Sequence, residues 1–244
     1  GETHPESAPV FLKKAAEVGA PITFADQHVQ VLEKPGGEWQ PSFFDVFKDN
    51  KPYLLNLELD AAGPFQVKNL ATTLQALDVL SNLEYWAPAP RLSNIQYPIS
   101  DTELRSGLAR LRQLTRYQGR WQVIGENPTV LCDSAHNEAG IRLIFERIQS
   151  RVYRRLHIVT GFVNDKDVSK ALALLPVDAR YYFAKANIPR GLEATELKEK
   201  AAVYGLSGKA YISVRNALKA ARRAAHPEDL IVVTGSIFVV AEVI

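Results

Sequence analysis

The fold is decided by residues 129–137, which read TVLCDSAHN, together with the segment Glu138–Ile148 that follows them directly. The first four residues are apolar or β-branched, as in a buried strand, whereas the apolar residues of Glu138–Ile148 recur at helical spacing. Polar side chains lie between the two, among them Asp133, His136 and Asn137. A strand that ends in a polar turn and leads straight into a helix is typical of an α/β sheet.

The same order of strand and helix recurs along the rest of the chain. Strands are predicted at Thr129–Cys132, Leu156–Thr160, Arg180–Ala184, Ala210–Ile212 and Leu230–Val233, and helices at Glu138–Ile148, Val168–Leu175, Thr195–Tyr204 and Val214–Ala225. This alternation predicts βαβ units, and therefore an α/β fold with a Rossmann-like, mostly parallel sheet that carries helices on both faces.

The chain before residue 118 has a different pattern. Alternating apolar residues and intervening turn signals predict strands at Ile22–Ala25, Val29–Leu32, Phe43–Phe47 and Tyr53–Leu59, and helical spacing predicts helices at Val67–Leu80 and Leu104–Leu111. We therefore expect two domains, residues 1–117 and 118–244.

The composition is that of an ordinary soluble globular protein, neither disordered nor fibrous. The 244 residues are 46% hydrophobic and 23% charged, with a formal net charge of +2. No block of lysine and arginine points to nucleic acid, and no apolar run reaches the length of a membrane span. Because Cys132 is the only cysteine and no signal peptide is recognisable, we expect a cytoplasmic protein. The absence of any methionine suggests a fragment.

Polar segments follow four of the predicted strands, where an open α/β sheet binds its ligands. Their chemically capable side chains are Asp133 and His136, Lys166, Arg190, and Ser236 beside Gly235. Each segment also has a purely structural interpretation, because its Ser, Asn or Asp residues can cap a helix and its cations can form surface ion pairs. Both interpretations remain open from spacing alone.

Signatures of several other enzyme classes are absent. The chain has neither G-x-G-x-x-G nor G-x-x-x-x-G-K-[ST], and it has no G-x-S-x-G elbow. The five histidines are scattered and show no zinc spacing, so no metal site is predicted within this chain.

Taken together, five segments resemble the folylpolyglutamate synthase/dihydrofolate synthase family of the Mur ligase superfamily in their order and spacing. They are GPFQVKN (63–69), GRW (119–121), DSAHN (133–137), GFVNDKD (161–167) and TGSIFVVAE (234–242). The opening ETHPES (2–7) is similar to part of the central domain of that family, and the resemblance covers essentially the whole chain. It implies that residues 1–117 are an α/β remnant of the central ATPase domain and that residues 118–244 are the C-terminal domain.

The resemblance implies ATP-dependent amide ligation, in which a folate or dihydropteroate carboxylate becomes an acyl phosphate and is attacked by the amine of L-glutamate. It implies that ATP is bound by three residues: Asn69 at the adenine, Arg120 at the phosphates or ribose, and Asp133 at the ribose hydroxyls.

The same resemblance implies a glutamate pocket with two catalytic residues, His136 and Lys166. Its substrate-binding residues would be His136, Lys166, Ser236, Gly235 and Arg190. Mg²⁺ is implied as a further cofactor, with ligands mostly upstream of this chain.

The phosphate loop and modified lysine of the family also belong to an upstream region. We therefore expect the chain by itself to be inactive, to expose apolar surface at Phe43, Phe44 and Phe47, and to self-associate, whereas the native enzyme is expected to be a monomer. Two other functions stay open: a Mur-type ligase with a different substrate, and a non-catalytic nucleotide-binding domain.

Overall fold

A computed structural model describes residues 1–35, 39, 42–82, 99–164 and 167–244 of the chain. These residues form two compact units, Gly1–Arg116 and Tyr117–Ile244. Each unit has its own sheet.

The first unit contains a three-stranded antiparallel sheet with the order β1-β2-β3. Its strands are β1 (Val29–Glu33), β2 (Ser42–Lys48) and β3 (Lys51–Leu59). Its helices are α1 (Ala8–Val18), a short 3₁₀ helix (Ala25–Gln27), α2 (Gln66–Asn82), α3 (Asp101–Ala109) and α4 (Leu111–Thr115). The strand predicted at Ile22–Ala25 is wrong, because Ala25 begins the 3₁₀ helix and its N–H donates to the Gly1 carbonyl.

One face of this sheet carries the core of the first unit. Phe44, Val46 and Leu57 are fully buried. The prediction that Phe43, Phe44 and Phe47 form an exposed apolar surface is wrong, since Phe44 is in the core and the other two are half-buried. The β-strand alternation instead exposes other apolar side chains of the sheet, namely Leu32, Tyr53 and Leu55.

The second unit is a six-stranded sheet with the order β4-β5-β9-β6-β7-β8. Its strands are β4 (Gln122–Gly125), β5 (Thr129–Cys132), β6 (Leu156–Thr160), β7 (Arg180–Ala184), β8 (Gly208–Tyr211) and β9 (Leu230–Thr234). All neighbouring strands are parallel except β4, which runs antiparallel to β5. The central strands β6 and β9 are buried along their whole length, as expected for parallel strands covered on both faces.

Helices flank this sheet. They are α5 (Glu138–Gln149), α6 (Ser169–Leu172), α7 (Ala194–Ala202), α8 (Val214–Ala224) and α9 (Ile237–Ala241). The apolar face of α8, with Val214, Ala217 and Ala221, packs with α9 residues Val239 and Val240 over the sheet. The predicted α/β fold with a mostly parallel, helix-flanked sheet is confirmed, although β4 was not predicted. Among the residues described, no helix is long and apolar enough to cross a membrane.

Candidate ligand site at the carboxyl ends of the strands

Three loops of the second unit meet where β5, β9 and β6 end. In the parallel register, Cys132 lies opposite Val233, and Thr160 lies opposite Thr234. Backbone hydrogen bonds then join the loops, since the Gly235 N–H donates to the Ala135 carbonyl at 3.0 Å. The segments that follow these strands are therefore neighbours in space, as the open-sheet rule predicts.

A cavity of about 190 Å³ lies among these loops. Four of the predicted substrate-binding residues line it: His136, Arg190, Gly235 and Ser236. The other lining residues are Phe162, Val163, Asp167, Val168, Ile237 and Phe238. The cavity thus has apolar walls and a few polar groups, which is the usual composition of a small-molecule site.

His136 presents one ring nitrogen to solvent. Its Nδ1–H donates to the Ser134 carbonyl at 3.0 Å, because a carbonyl can only accept. In the neutral ring Nε2 is then the acceptor. The cap of α5 is provided by Asn137, whose Oδ1 accepts the Gly140 N–H at 2.8 Å, so the capping interpretation holds for Asn137 and leaves His136 for another role.

Arg190 brings a positive charge to the cavity. Its guanidinium carbon lies 5.1 Å from the centre of the Phe238 ring, a cation–π distance. Its backbone carbonyl accepts the N–H of Asn164 at 2.9 Å, which fixes the Arg190 loop against the loop after β6.

Asp167 brings a negative charge to the same cavity. Its Oδ1 accepts the Ser169 N–H at 2.9 Å. Hydrogen bonding from the Ser169 side chain, and then from the Ser169 N–H, holds the pKa of the Asp167 carboxyl below its usual value. The cavity therefore contains both a cation and an ionised carboxylate.

Gly235 and Ser236 form the turn between β9 and α9. Gly235 has a φ of +104°, and a Cβ at this position would lie 2.6 Å from both the Gly161 carbonyl oxygen and Thr160 Oγ1. Only glycine fits this conformation and this close approach. The Ser236 side chain is almost fully buried, and its Oγ accepts the Phe238 N–H at 3.2 Å as the cap of α9.

Asp133 is fully buried and ties two loops together. Its carboxylate accepts the N–H of Trp121 at 2.8 Å and the N–H of Ala135 at 2.9 Å. Burial raises the pKa of the Asp133 carboxyl to about 6, against the two backbone hydrogen bonds and the charge of Arg120, which lower it. Arg120 is therefore close to Asp133, and each oxygen of the Asp133 carboxylate accepts one backbone hydrogen bond. The contact of Asp133 with ribose stays a prediction.

Asn69, which is predicted to bind adenine, belongs to the first unit. It is an exposed residue in the first turn of α2, where its Nδ2 lies 3.3 Å from Gln66 Oε1. Lys166 lies outside the described residues.

The residues that the structure describes contain no group of three or more His, Cys, Asp or Glu side chains that could hold a metal ion. No residue of this chain is assigned to Mg²⁺.

Comparison with known proteins identifies the second unit. Residues 119–237 match the family model described as "Mur ligase, glutamate ligase domain". The second unit therefore belongs to the glutamate ligase domain family of the Mur ligases.

The similar proteins are folate synthases. The chain is 32% identical to the dihydrofolate synthase/folylpolyglutamate synthase of Escherichia coli K12, over 98% of this chain and 53% of that protein. The solved structure of E. coli FolC in complex with DHPP and ADP aligns with a TM-score of 0.74 at 27% identity, covering 98% of this chain and 50% of that one. A bifunctional folylpolyglutamate synthase/dihydrofolate synthase with Mn, AMPPNP and L-glutamate bound aligns with a TM-score of 0.71 at 27% identity, covering 98% of this chain and 50% of that one.

The chain spans about half the length of the E. coli relative.

Three residues with a part in the site were missed by sequence reasoning. The sequence predicts no ligand contact for Asp167 or for the ring of Phe238, which belong to the segments GFVNDKD and TGSIFVVAE. Trp121 has a φ of +42°, a conformation that no sequence pattern signals for tryptophan. The spacing of Asp167 from a strand end was the one usable signal.

Proposed function

We propose that this chain supplies the glutamate-binding part of an ATP-dependent ligase that adds L-glutamate to a folate or dihydropteroate. The observation that supports it is the convergence of His136, Arg190, Gly235 and Ser236 on one cavity of about 190 Å³. These residues come from three segments that are far apart in sequence, and the sequence predicts each of them as a substrate-binding residue. The cavity is smaller than the roughly 300–1,000 Å³ usual for drug-sized ligands, and so suits a single amino acid.

The charges of the cavity match those of an α-amino acid. Arg190 offers the planar donors that bind a carboxylate in a bidentate manner. Asp167, ionised and on the same wall, offers an acceptor to the α-ammonium group. In this proposal Arg190 orients the glutamate and Asp167 directs its amine.

His136 is proposed to receive the proton of that amine. With Nδ1–H committed to the Ser134 carbonyl, Nε2 carries the lone pair that accepts a proton as the nitrogen attacks. Lys166, in the loop that also carries Asp167, is proposed as a second catalytic and substrate-binding residue.

ATP is proposed to activate the acceptor carboxylate. Its γ-phosphoryl group is transferred to a carboxylate oxygen, and the glutamate amine then attacks the acyl carbon and expels inorganic phosphate. Arg120 is proposed to contact the nucleotide and Asn69 its adenine, while Asp133 holds the Arg120 segment through the Trp121 N–H.

The pocket assignment is tested by binding of L-glutamate, measured by calorimetry with wild-type protein and Arg190→Gln. We expect Arg190→Gln to weaken binding roughly tenfold or more, because a charge-assisted pair is lost. The matched control Lys198→Gln neutralises an exposed cation on α7 and should change the affinity by less than about twofold. Equal affinities for wild type and Arg190→Gln would overturn the pocket assignment.

The substrate class is tested separately by ATP-dependent incorporation of labelled glutamate in the full-length protein. Tetrahydrofolate, dihydropteroate and a muropeptide precursor are offered in parallel. Incorporation into a pteroate compound supports the folate assignment, whereas incorporation into the muropeptide precursor alone would replace it with another Mur-type ligation.

A further inference from the structure

A second cavity lies in the second unit between α8 and the residues after α9. It has a volume of about 480 Å³, within the roughly 300–1,000 Å³ range of small-molecule sites. We name it the α8 groove, defined by its lining residues Arg215, Leu218, Lys219, Arg222, Arg223, Glu242 and Val243. None of its described lining residues lines the cavity of about 190 Å³ that is proposed to bind glutamate, which we call the glutamate cavity.

The α8 groove has a strong excess of positive charge. Arg215, Lys219, Arg222 and Arg223 are separated by four, three and one residues and therefore lie on one face of α8. All four are exposed, whereas the opposite face of the helix is buried against the sheet. Glu242 is the one acidic residue in the lining.

Glu242 does not neutralise these cations. Its Oε1 accepts the backbone N–H of Asn187 at 2.7 Å, and its backbone carbonyl accepts from Arg215 Nε at 3.0 Å. Lys219, Arg222 and Arg223 form no ion pair with any residue that the structure describes.

Helix electrostatics explains only part of this cluster. Arg222 and Arg223 lie in the last turn of α8, where cations are favoured by the helix dipole. Arg215 lies in the first turn, where a cation is disfavoured, and Lys219 lies in the middle, where the dipole has no effect. Their common feature is that they face the same cavity.

Arg222 lines the α8 groove and reaches strand β4. Its Nη2 lies 3.4 Å from the position that a Cβ on Gly125 would occupy. Leu218, nearly buried, supplies an apolar surface. The groove therefore combines a concave shape, several donors and an apolar wall.

We propose that the α8 groove binds a small multivalent anion, an organic phosphate or an oligocarboxylate, as a site separate from the glutamate cavity. The guanidinium and ammonium groups would donate charge-assisted hydrogen bonds to its oxygens. The proposal does not depend on the ligase function.

The experiment measures binding of tripolyphosphate and of citrate by calorimetry at low ionic strength, so that screening does not hide the interaction. The test variant is Lys219→Gln/Arg222→Gln. The matched control is Lys198→Gln/Lys209→Gln, which removes the same number of charges from exposed positions on α7 and β8 of the same unit. We expect the test variant to lose roughly tenfold or more in affinity and the control to change by less than about twofold.

The two probes separate the chemical sources of the anion. Saturable binding of tripolyphosphate alone identifies a phosphate ligand, and binding of citrate alone identifies a carboxylate ligand. The proposal is overturned if neither probe binds saturably, or if both double variants lose affinity equally, since the effect is then one of overall charge. Unchanged circular dichroism of the test variant shows that it is folded.

Discussion

The Asp133 carboxylate accepts the backbone N–H of Trp121 at 2.8 Å, and Trp121 is a buried tryptophan in the left-handed region with a φ of +42°. A second bond supports the same loop, since the Ser134 N–H donates to the Gly119 carbonyl at 2.9 Å. The segment that carries Arg120 is therefore held by the segment after β5. Since a strained backbone conformation persists only when its surroundings fix it, Asp133 acts here as a positioning residue.

Replacing Asp133 by alanine should expose the importance of this link. Asp133→Ala leaves the buried N–H groups of Trp121 and Ala135 without an acceptor, and we expect a loss of about 2–4 kcal/mol in the free energy of unfolding. Urea denaturation at neutral pH measures it. Asp178→Asn, an exposed carboxyl in the same unit, should cost less than about 0.5 kcal/mol. Equal urea midpoints for Asp133→Ala and Asp178→Asn would contradict a structural role of the buried Asp133 carboxylate.

Asp133 should also leave a signature in the pH dependence of stability. Its folded pKa is about 6, above the unfolded value of 3.8, so the folded state binds more protons between these values. The stability linked to this group is complete below pH 3.8 and is lost as pH rises through 6. Relative to Asp133→Asn, wild type should lose about 3 kcal/mol at most across this window. A difference in unfolding free energy between wild type and Asp133→Asn that stays constant from pH 4 to 7 would contradict this prediction.

Gly235 should be sensitive both to backbone strain and to crowding. Gly235→Ala forces a Cβ to within 2.6 Å of the Gly161 carbonyl and Thr160 Oγ1 at a φ of +104°. Gly205→Ala is the matched control, because Gly205 has a φ of +75° and its nearest neighbour would be 3.8 Å away. We expect Gly205→Ala to lower the free energy of unfolding by about 1–2 kcal/mol, because of the left-handed conformation alone. Gly235→Ala should lower it by more, as measured by thermal or urea unfolding. A smaller loss at Gly235 than at Gly205 would refute the close approach.

The buried His157 predicts a loss of stability in mild acid. The imidazole lies between Tyr182 and Asp229, where its Nε2–H donates to Asp229 Oδ2 at 3.1 Å and Nδ1 accepts from the tyrosine hydroxyl at 3.0 Å. Burial lowers the pKa of His157 more than Asp229 raises it. As the pH falls through 6.5, His157 becomes protonated in the unfolded chain but stays neutral in the folded state. The contribution of His157 to the free energy of unfolding is therefore complete above that pH and decreases below it.

This dependence is tested by the slope of unfolding free energy against pH between about 7 and 5, which brackets the ordinary histidine pKa. His157→Phe should remove the His157 contribution to the slope and leave the opposite contribution of Asp133, although it lowers stability at every pH by removing two buried hydrogen bonds. His136→Gln, which removes an exposed ring from the same unit, should retain it. If His157→Phe kept the full wild-type slope, the source of the acid sensitivity would lie elsewhere.

The parts of the fold that sequence predicted well are those in which local pattern and burial agree. β6 and β9 are unbroken apolar runs that are buried along their full length. β4 was not predicted, because Gln122–Gly125 is short and half-buried and so has no clear strand pattern. Its pairing with β5 also contains a bulge between Val123 and Gly125. Ile22–Ala25 had the apolar residues of a strand but finds no strand partner.

The candidate site was predictable to a similar extent. The chemistry of the polar segments after parallel strands pointed to His136, Arg190 and Ser236, and the sheet topology brings them to one cavity. The burial of Asp133 was not predictable, because it depends on the Trp121 loop folding over it. The approach of Phe238 to Arg190 is likewise a contact between helix α9 and the loop after β7, which no local pattern encodes.

The Arg190–Phe238 contact gives the last prediction. The ring lies 5.1 Å from the guanidinium carbon and fixes the side chain beside the cavity, so its loss should let the cation move away from the bound carboxylate. Phe238→Leu keeps the apolar volume but removes the π face, and we expect L-glutamate affinity to fall about two- to fivefold, the range of an exposed cation–π pair. Phe238→Tyr retains the ring and should bind as wild type does. Calorimetry of the three proteins decides the matter: an affinity of Phe238→Leu equal to that of Phe238→Tyr would show that the ring does not position Arg190.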